Sequence, residues 1–213
     1  MGFNLIRFIT DAQYRCVRRW YRDGGDQSLR YNYNLGPSDI VFDIGAYKGH
    51  FAEEVARRFG SKVEAFEPVG IYADAARART AQFPSVQVHS FGLAKNAGQS
   101  SISIEGLASS RAAASRKTVV AEFRNIVEVC ELLGSGGIAL MKINIEGDEY
   151  EILPALMDAG FMTKIRDIQV QFHLFKSGDK ARYRAIKERL ERTHKLTWRY
   201  PFIWENWRLK ANV

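Results

Sequence analysis

Cysteine is nearly absent from the 213 residues: Cys16 and Cys130 are the two thiols, with no Cys-x-x-Cys or Cys/His spacing. Neither a disulfide framework nor a structural zinc site is encoded, and a reducing cytoplasm is the expected location. Long apolar runs are missing too. Arg7 and Asp11 interrupt the first sixteen residues, so these lack the apolar core of about 7–15 residues that a signal peptide needs. No stretch reaches the ~20 apolar residues of a membrane span. Ile6 stands where a myristoylation signal has Ser or Thr. Low-complexity tracts and long heptad arrays are absent as well, which excludes disordered, collagen-like and coiled-coil classes. What remains is 46% hydrophobic and 26% charged, the make-up of one globular domain with a sizeable core. Lys plus Arg number 31 against 24 Asp plus Glu, a formal charge of +7 that leaves anionic partners open.

Leu5, Phe8, Ile9, Ala12, Cys16 and Trp20 fall at helical spacing, with Arg7, Arg15, Arg18, Arg19 and Arg22 mostly on the remaining surface, so residues 3–22 are expected to form an amphipathic basic helix. Gly24-Gly25 ends it. Residues 1–36 are read as this helix and a connector, and residues 37–213 as the domain proper. From Ile40 the chain alternates apolar strand runs (40–44, 62–66, 86–89, 138–143, 167–172) with helical segments (49–59, 71–83, 122–133, 150–159, 180–193). Such alternation predicts a doubly wound, Rossmann-like α/β fold with a mostly parallel sheet. Residues 101–105 suggest a hairpin. The last two runs, 196–200 and 203–209, are separated by too few residues for a crossover, so they are expected to close the sheet as an antiparallel hairpin.

The first strand runs into Asp43-Ile44-Gly45-Ala46-Tyr47-Lys48-Gly49. Glycines at 45 and 49 permit a tight turn and a close helix start beside a ligand, at the strand end where open α/β sheets bind. A ligand-free strand-to-helix turn is the plain alternative. The second strand ends in Glu67-Pro68, where a carboxylate can accept from both hydroxyls of a ribose. No Walker loop and no G-x-G-x-x-G occurs, which points to a nucleoside held without a phosphate cradle and disfavours a nicotinamide-dependent oxidoreductase.

With these residues the chain resembles class I S-adenosyl-L-methionine-dependent methyltransferases, and more narrowly the FkbM family. The resemblance covers about residues 37–175 and rests on VFDIGAYKG, EAFEP, VHSFGLAKNAG and LMKINIEGDEYEIL. The last of these is similar to the family's Lys-Ile-Asp-x-Glu-Gly-x-Glu signature. The resemblance implies S-adenosyl-L-methionine as cofactor. Asp43, Gly45, Ala46, Tyr47 and Gly49 would frame its methionine part, Glu67 and Pro68 the ribose, and Gly92 and Leu93 the adenine. It also implies O-methylation of a hydroxyl on a sugar, glycan or glycosylated natural product. Asn144 stands where the commoner pattern has Asp, and Gln171-Phe172-His173 where a Glu often follows the fifth strand. Lys142–Gly147, Gln169–His173 and Trp204–Trp207 look like the marks of a sub-branch. Without a carboxylate at 144 no metal is assigned.

An alcohol acceptor gains from a base as the new bond forms. His173, Glu146 and Glu149 stand at strand tips, with His173 preferred for its ordinary pKa near ~6.5. Lys142, Asn144 and Glu146 alternate along the fourth strand, placing three polar groups on one face and marking all three as catalytic candidates. The basic loop at 109–117 is a solvated segment or an acceptor-binding lid. Tyr200, Phe202, Trp204 and Trp207 divide between core and a sugar-stacking wall. A small-molecule or glycan acceptor is expected. A nucleic-acid partner is disfavoured because no RNP-like motif or zinc finger is present, although +7 keeps an RNA-directed protein as an alternative. The N-terminal helix is expected to pack on the domain, with peripheral contact with an anionic membrane at its inner face as the sharper alternative.

Overall fold

Strand β1 (Ile40–Ile44) is apolar on both sides of Asp43, as a strand covered on both faces must be. In the computed structural model, which describes residues 11–105, 108–110 and 118–211, β1 lies near the middle of a seven-stranded sheet. The other strands are β2 (Lys62–Phe66), β3 (Val86–His89), β8 (Ile138–Ile143), β9 (Ile165–Val170), β10 (His194–Tyr200) and β11 (Trp204–Leu209), in the order β10-β11-β9-β8-β1-β2-β3. Pairs β1–β2, β2–β3, β1–β8 and β8–β9 are parallel. Strand β11 runs antiparallel to both β9 and β10, so the closing hairpin inserts its second strand into the sheet.

Alternation along the strands divides the core. Phe42, Ile44, Phe66, Met141, Ile143 and Val170 pack on one face against α4 (Ile126–Leu133), α5 (Glu149–Asp158) and α6 (Asp179–Thr193). On the other face Val41, Val63, Ala65 and Leu140 meet α2 (His50–Phe59) and α3 (Gly70–Thr80), together with Tyr33 of the connector.

A second sheet, unforeseen beyond its hairpin, has the order β4-β7-β5-β6: β4 (Gly92–Ala94), β5 (Gly98–Glu105), β6 (Ala108–Ser110) and β7 (Thr118–Asn125). It corrects the helix expected over 122–133. Ala121 and Phe123 are buried while Glu122 and Arg124 are exposed, which is a strand's period of two. The helix starts only at Ile126, where the Asn125 side chain accepts from the N–H groups of Val127 and Glu128. Most of the 109–117 loop lies outside the described residues.

Helix α1 (Ala12–Arg22) covers the described part of the helix expected over residues 3–22. Asp11, read as an interruption, is its N-cap and accepts from Tyr14 N at 3.0 Å; residues 1–10 lie outside the described residues. Its Trp20 is buried against Trp198, Tyr200 and Trp204 at the tip of the β10–β11 hairpin. Tyr200 Oη donates to Asp23 at 2.7 Å. Of the described stripe, Trp20 and Cys16 are thus covered by the chain's own hairpin, while Ala12 is exposed. Among the described residues no helix is long and apolar enough to cross a membrane.

Candidate active site

The turn after β1 is fixed by its own backbone. Gly45 and Ala46 both donate to Phe66 O at 3.0 Å, and Tyr47 N donates to Glu67 at 2.8 Å. These N–H groups are spent inside the chain, in keeping with a site that cradles no phosphate. Gly45 has φ +81°, and a Cβ there would lie 2.0 Å from the carbonyl oxygen of Asn144, so only glycine lets the β1 and β8 turns meet. Tyr47 and Glu146, neither of them glycine, are held at φ +51° and +50° in these two turns. Such backbone costs about 1–3 kcal/mol per residue and collects at functional sites.

The two turns flank a cleft with about 690 Å³ of empty space, open solvent at its mouth included, at the C-terminal ends of β1, β2 and β8. Of the residues singled out in the sequence, Gly45, Tyr47, Glu67, Pro68, Gly92, Leu93, Asn144 and Glu146 line it. Ile102 and Phe123 of the second sheet form part of its wall, with Ile44, Phe66, Ile145 and Asp148. The sequence reading missed these six; the alternation that made β7 a strand was the one available signal for Phe123. A Cβ on Gly92 would fall 2.4 Å from the Phe123 ring, so glycine there keeps that wall in place.

Glu67 is 5% exposed and accepts from the N–H of Tyr47 (2.8 Å) and of Val69 (2.9 Å). Burial pushes its carboxyl up to about 7, against the pull of those two backbone donors. Asn144 Oδ1 is buried without a hydrogen-bond partner. An orphaned acceptor in a cleft wall is an opening for a ligand donor.

Asp43, Lys142, Ala46 and Gly49 do not line the cleft. Asp43 and Lys142 are register partners on β1 and β8. The Lys142 ammonium donates to Asp43 Oδ1 and to Gly45 O, both at 2.8 Å, with the two side chains 4% and 0% exposed. Burial pushes the lysine down and Asp43 opposes it. Asp43 Oδ2 stays unpartnered. Ala46 packs in the core on the α2 face. Gly49, at φ +75°, sits where a Cβ would be 3.0 Å from Ala76, so its place is against α3.

The row continues across the sheet, since Lys142 is in register with Gln169, and Gln169 with Asn206. Gln169 Nε2 donates to Arg30 O and Tyr33 Oη, Tyr33 Oη donates to Asn206, and Asn206 donates to Asp167. The Arg30 guanidinium lies 4.3 Å from the Trp204 ring centroid. The sub-branch residues Gln169, Trp204 and Asn206 thus bind the connector to the sheet. Of the four C-terminal aromatics, Tyr200, Trp204 and Trp207 are buried and Phe202 packs against the main core, which corrects the idea of a sugar-stacking wall.

His173 follows β9. Its Nδ1 lies 3.2 Å from Glu149 Oε1, and its ring stacks on Phe175 with 5.5 Å between centroids and 7° between planes. Phe175 opens onto a second cleft with Lys176, Asp179 and Arg182, and this cleft shares Glu146 and Asp148 with the first. Burial raises the Glu146 carboxyl, while nearby His173 lowers it and Glu149 raises it further.

A seven-stranded sheet of this order, with a glycine turn after β1 and an acid at the tip of β2, defines a Rossmann-like class I methyltransferase fold. The chain belongs to the FkbM methyltransferase family, whose domain model matches residues 43–196, and its methyl donor is S-adenosyl-L-methionine. No curated protein matches it in sequence. Among solved structures it is similar to a putative rRNA-methylase from Clostridium thermocellum (TM-score 0.54, 10% identity, 85% of this chain and 91% of that one). It is also similar to an rRNA methylase from Streptococcus thermophilus (TM-score 0.51, 11% identity, 98% of each chain). The chain spans 64% of the 23S rRNA methyltransferase ErmE, at 14% identity over 84% of its own length and a TM-score of 0.47. These likenesses concern the fold, which by itself does not separate nucleic-acid acceptors from small ones.

Proposed function

We propose that this chain is an O-methyltransferase acting on a hydroxyl of a sugar, glycan or glycosylated natural product. The observation that carries the reading is the pair of clefts that meet at Glu146 and Asp148, one suited to a nucleoside and the other lined by Phe175, whose ring stacks on that of His173; His173 itself lines neither. The residues present fit the donor. Glu67 would accept from its ribose hydroxyls, Gly92 and Leu93 would border the adenine, and Gly45, Tyr47 and the free acceptor of Asn144 would face its methionine part. When bound, the donor supplies a methyl group already activated on a sulfonium. Asp43 and Lys142 serve that site from behind, by holding the Gly45 carbonyl. Ala46 and Gly49 shape the turn without facing the cleft.

What the chain adds is position and a proton acceptor. His173 takes the proton of the acceptor hydroxyl, and Glu146 lies within electrostatic reach of it. The second cleft suits a neutral polyol. The exposed Phe175 ring offers an apolar platform, and Arg182 is already engaged by Glu151, Asp179 and the carbonyl of Tyr150. Carboxylates at 146 and 148 supply acceptors for hydroxyls, while Asp179 is buried and spent on the N–H groups of Phe175 and Lys176 and on Arg182.

Calorimetry with S-adenosylhomocysteine, followed by mass spectrometry of products from a panel of glycosides, tests the reading. Methylated glycoside supports it, and binding with transfer to RNA alone contradicts the acceptor class. That second reading rests on the net charge of +7. Its mark is RNA affinity that falls steeply with salt.

A further inference from the structure

We propose that Glu149 is a positioning residue that sets the tautomer of His173, leaving Nε2 as the ring nitrogen that receives the acceptor proton. The last clause rests on the reading above; the tautomer does not.

Glu149 opens α5 and its side chain is 0% exposed. Oε1 accepts from the backbone N–H of His173 at 2.7 Å and faces Nδ1 of the same residue at 3.2 Å. Tyr150 Oη donates to the His173 carbonyl at 2.7 Å. Two consecutive residues of α5 therefore hold the N–H, the C=O and one ring nitrogen of His173, and Phe175 stacks on the ring. A carboxylate has no proton to give. A neutral imidazole meets it through Nδ1–H, which leaves the lone pair on Nε2. The opposite tautomer would press two acceptors together in a buried place, a cost the protein avoids by fixing the proton.

The other oxygen extends the role. Oε2 accepts from Gly147 N at 2.7 Å. Gly147 follows Glu146, whose backbone is held at φ +50°, in the turn that lines both clefts. One buried carboxylate thus ties the loop bearing the base to the turn shared by the two clefts.

In the step this serves, the hydroxyl O–H bond breaks as the oxygen bonds to the methyl carbon. The carbon–sulfur bond breaks with its electron pair left on sulfur, and the proton passes to Nε2. The imidazolium so formed faces the Glu149 carboxylate and later releases its proton to solvent.

Long-range proton–nitrogen correlation spectra of the His173 ring, taken on the full chain above the titration of the ring and with no ligand added, test the proposal. The expected wild-type result is a protonated Nδ1 and an unprotonated Nε2, and in E149Q a shift of population toward Nε2–H. An Nε2–H tautomer in the wild type overturns it, and that measurement needs no variant to fold. An E149Q ring with unchanged tautomer overturns it too. In turnover assays E149Q is expected to lose about 10²-fold in kcat with unchanged donor affinity. The spectra contain neither donor nor acceptor, so a failure of the methyltransferase reading and a failure of this proposal are separate results.

Discussion

Asp43, Lys142, Gln169 and Asn206 stand side by side in one row across β1, β8, β9 and β11; a buried ion pair joins Asp43 to Lys142, and Tyr33 of the connector joins Gln169 to Asn206 by hydrogen bonds. At the nearby strand ends, past β8 and β2, Asn144 presents an orphaned acceptor, Glu146 a strained backbone, and Glu67 a carboxyl displaced to about 7. Both regions are drawn from the same sequence motifs. Lys142 and Glu146 belong to one eight-residue signature yet face different work. Each region keeps one orphaned buried oxygen, Asp43 Oδ2 in the row and Asn144 Oδ1 in the second region, and what separates them is access: the row is closed into the core, which makes it scaffold, while Asn144, Glu146 and Glu67 line a cleft, which makes that region a site. Placement at a cleft sorts motif residues where motif membership does not.

The comparison breaks first at the ion pair. Lys142→Ala leaves Asp43 buried with no counter-charge, and a loss of about 3–5 kcal/mol of stability is expected in denaturant unfolding. A loss of turnover with unchanged stability would instead return Lys142 to the chemistry. His173→Ala is expected to do the reverse, lowering kcat ~10²-fold while melting temperature and donor affinity hold. Within the scaffold, Asn206→Ala deprives Tyr33 and Asp167 of a partner and is expected to cost about 1–3 kcal/mol of stability, read by thermal melting.

The smallest effect is one of pH. Glu67 is half protonated near 7 in the free protein, and ribose hydroxyls donate best to its ionised form. Lowering the pH from 8 to 6 is therefore expected to weaken donor binding about tenfold, with the slope gone in Glu67→Gln. A flat calorimetric profile in the wild type would show that Glu67 does not meet the ribose.

Much of this was legible beforehand. Strands β1, β2, β3 and β8 fall where runs bounded by turn residues put them: β1 and β8 are buried on both faces and leave a plain apolar signature, while β2 and β3 keep their apolar residues at alternate positions. The closing hairpin followed from the short link between its strands. The acid at the β2 tip and the glycine turn were readable because their positions are fixed by strand ends. The second sheet was not. Its β7 runs straight into α4, and the Asn125 cap between them is a single residue within a continuous amphipathic stretch. Asp11 misled for the same reason, since a capping aspartate and an interrupting one look alike before the backbone is known. The inward turn of Lys142 was hidden because alternation assigns a face to a side chain and says nothing of its partner. That partner, Asp43, lies 99 residues away and is brought alongside only by sheet register.

The account stands most directly on one calorimetric comparison, the affinity of S-adenosylhomocysteine for Glu67→Ala and for Asn206→Ala against the wild type. Glu67→Ala is expected to weaken binding by about 1–3 kcal/mol, the cost of a lost charged hydrogen bond, and Asn206→Ala to leave it unchanged. Unaltered affinity in Glu67→Ala, or equal weakening in both variants, would contradict the division between site and scaffold.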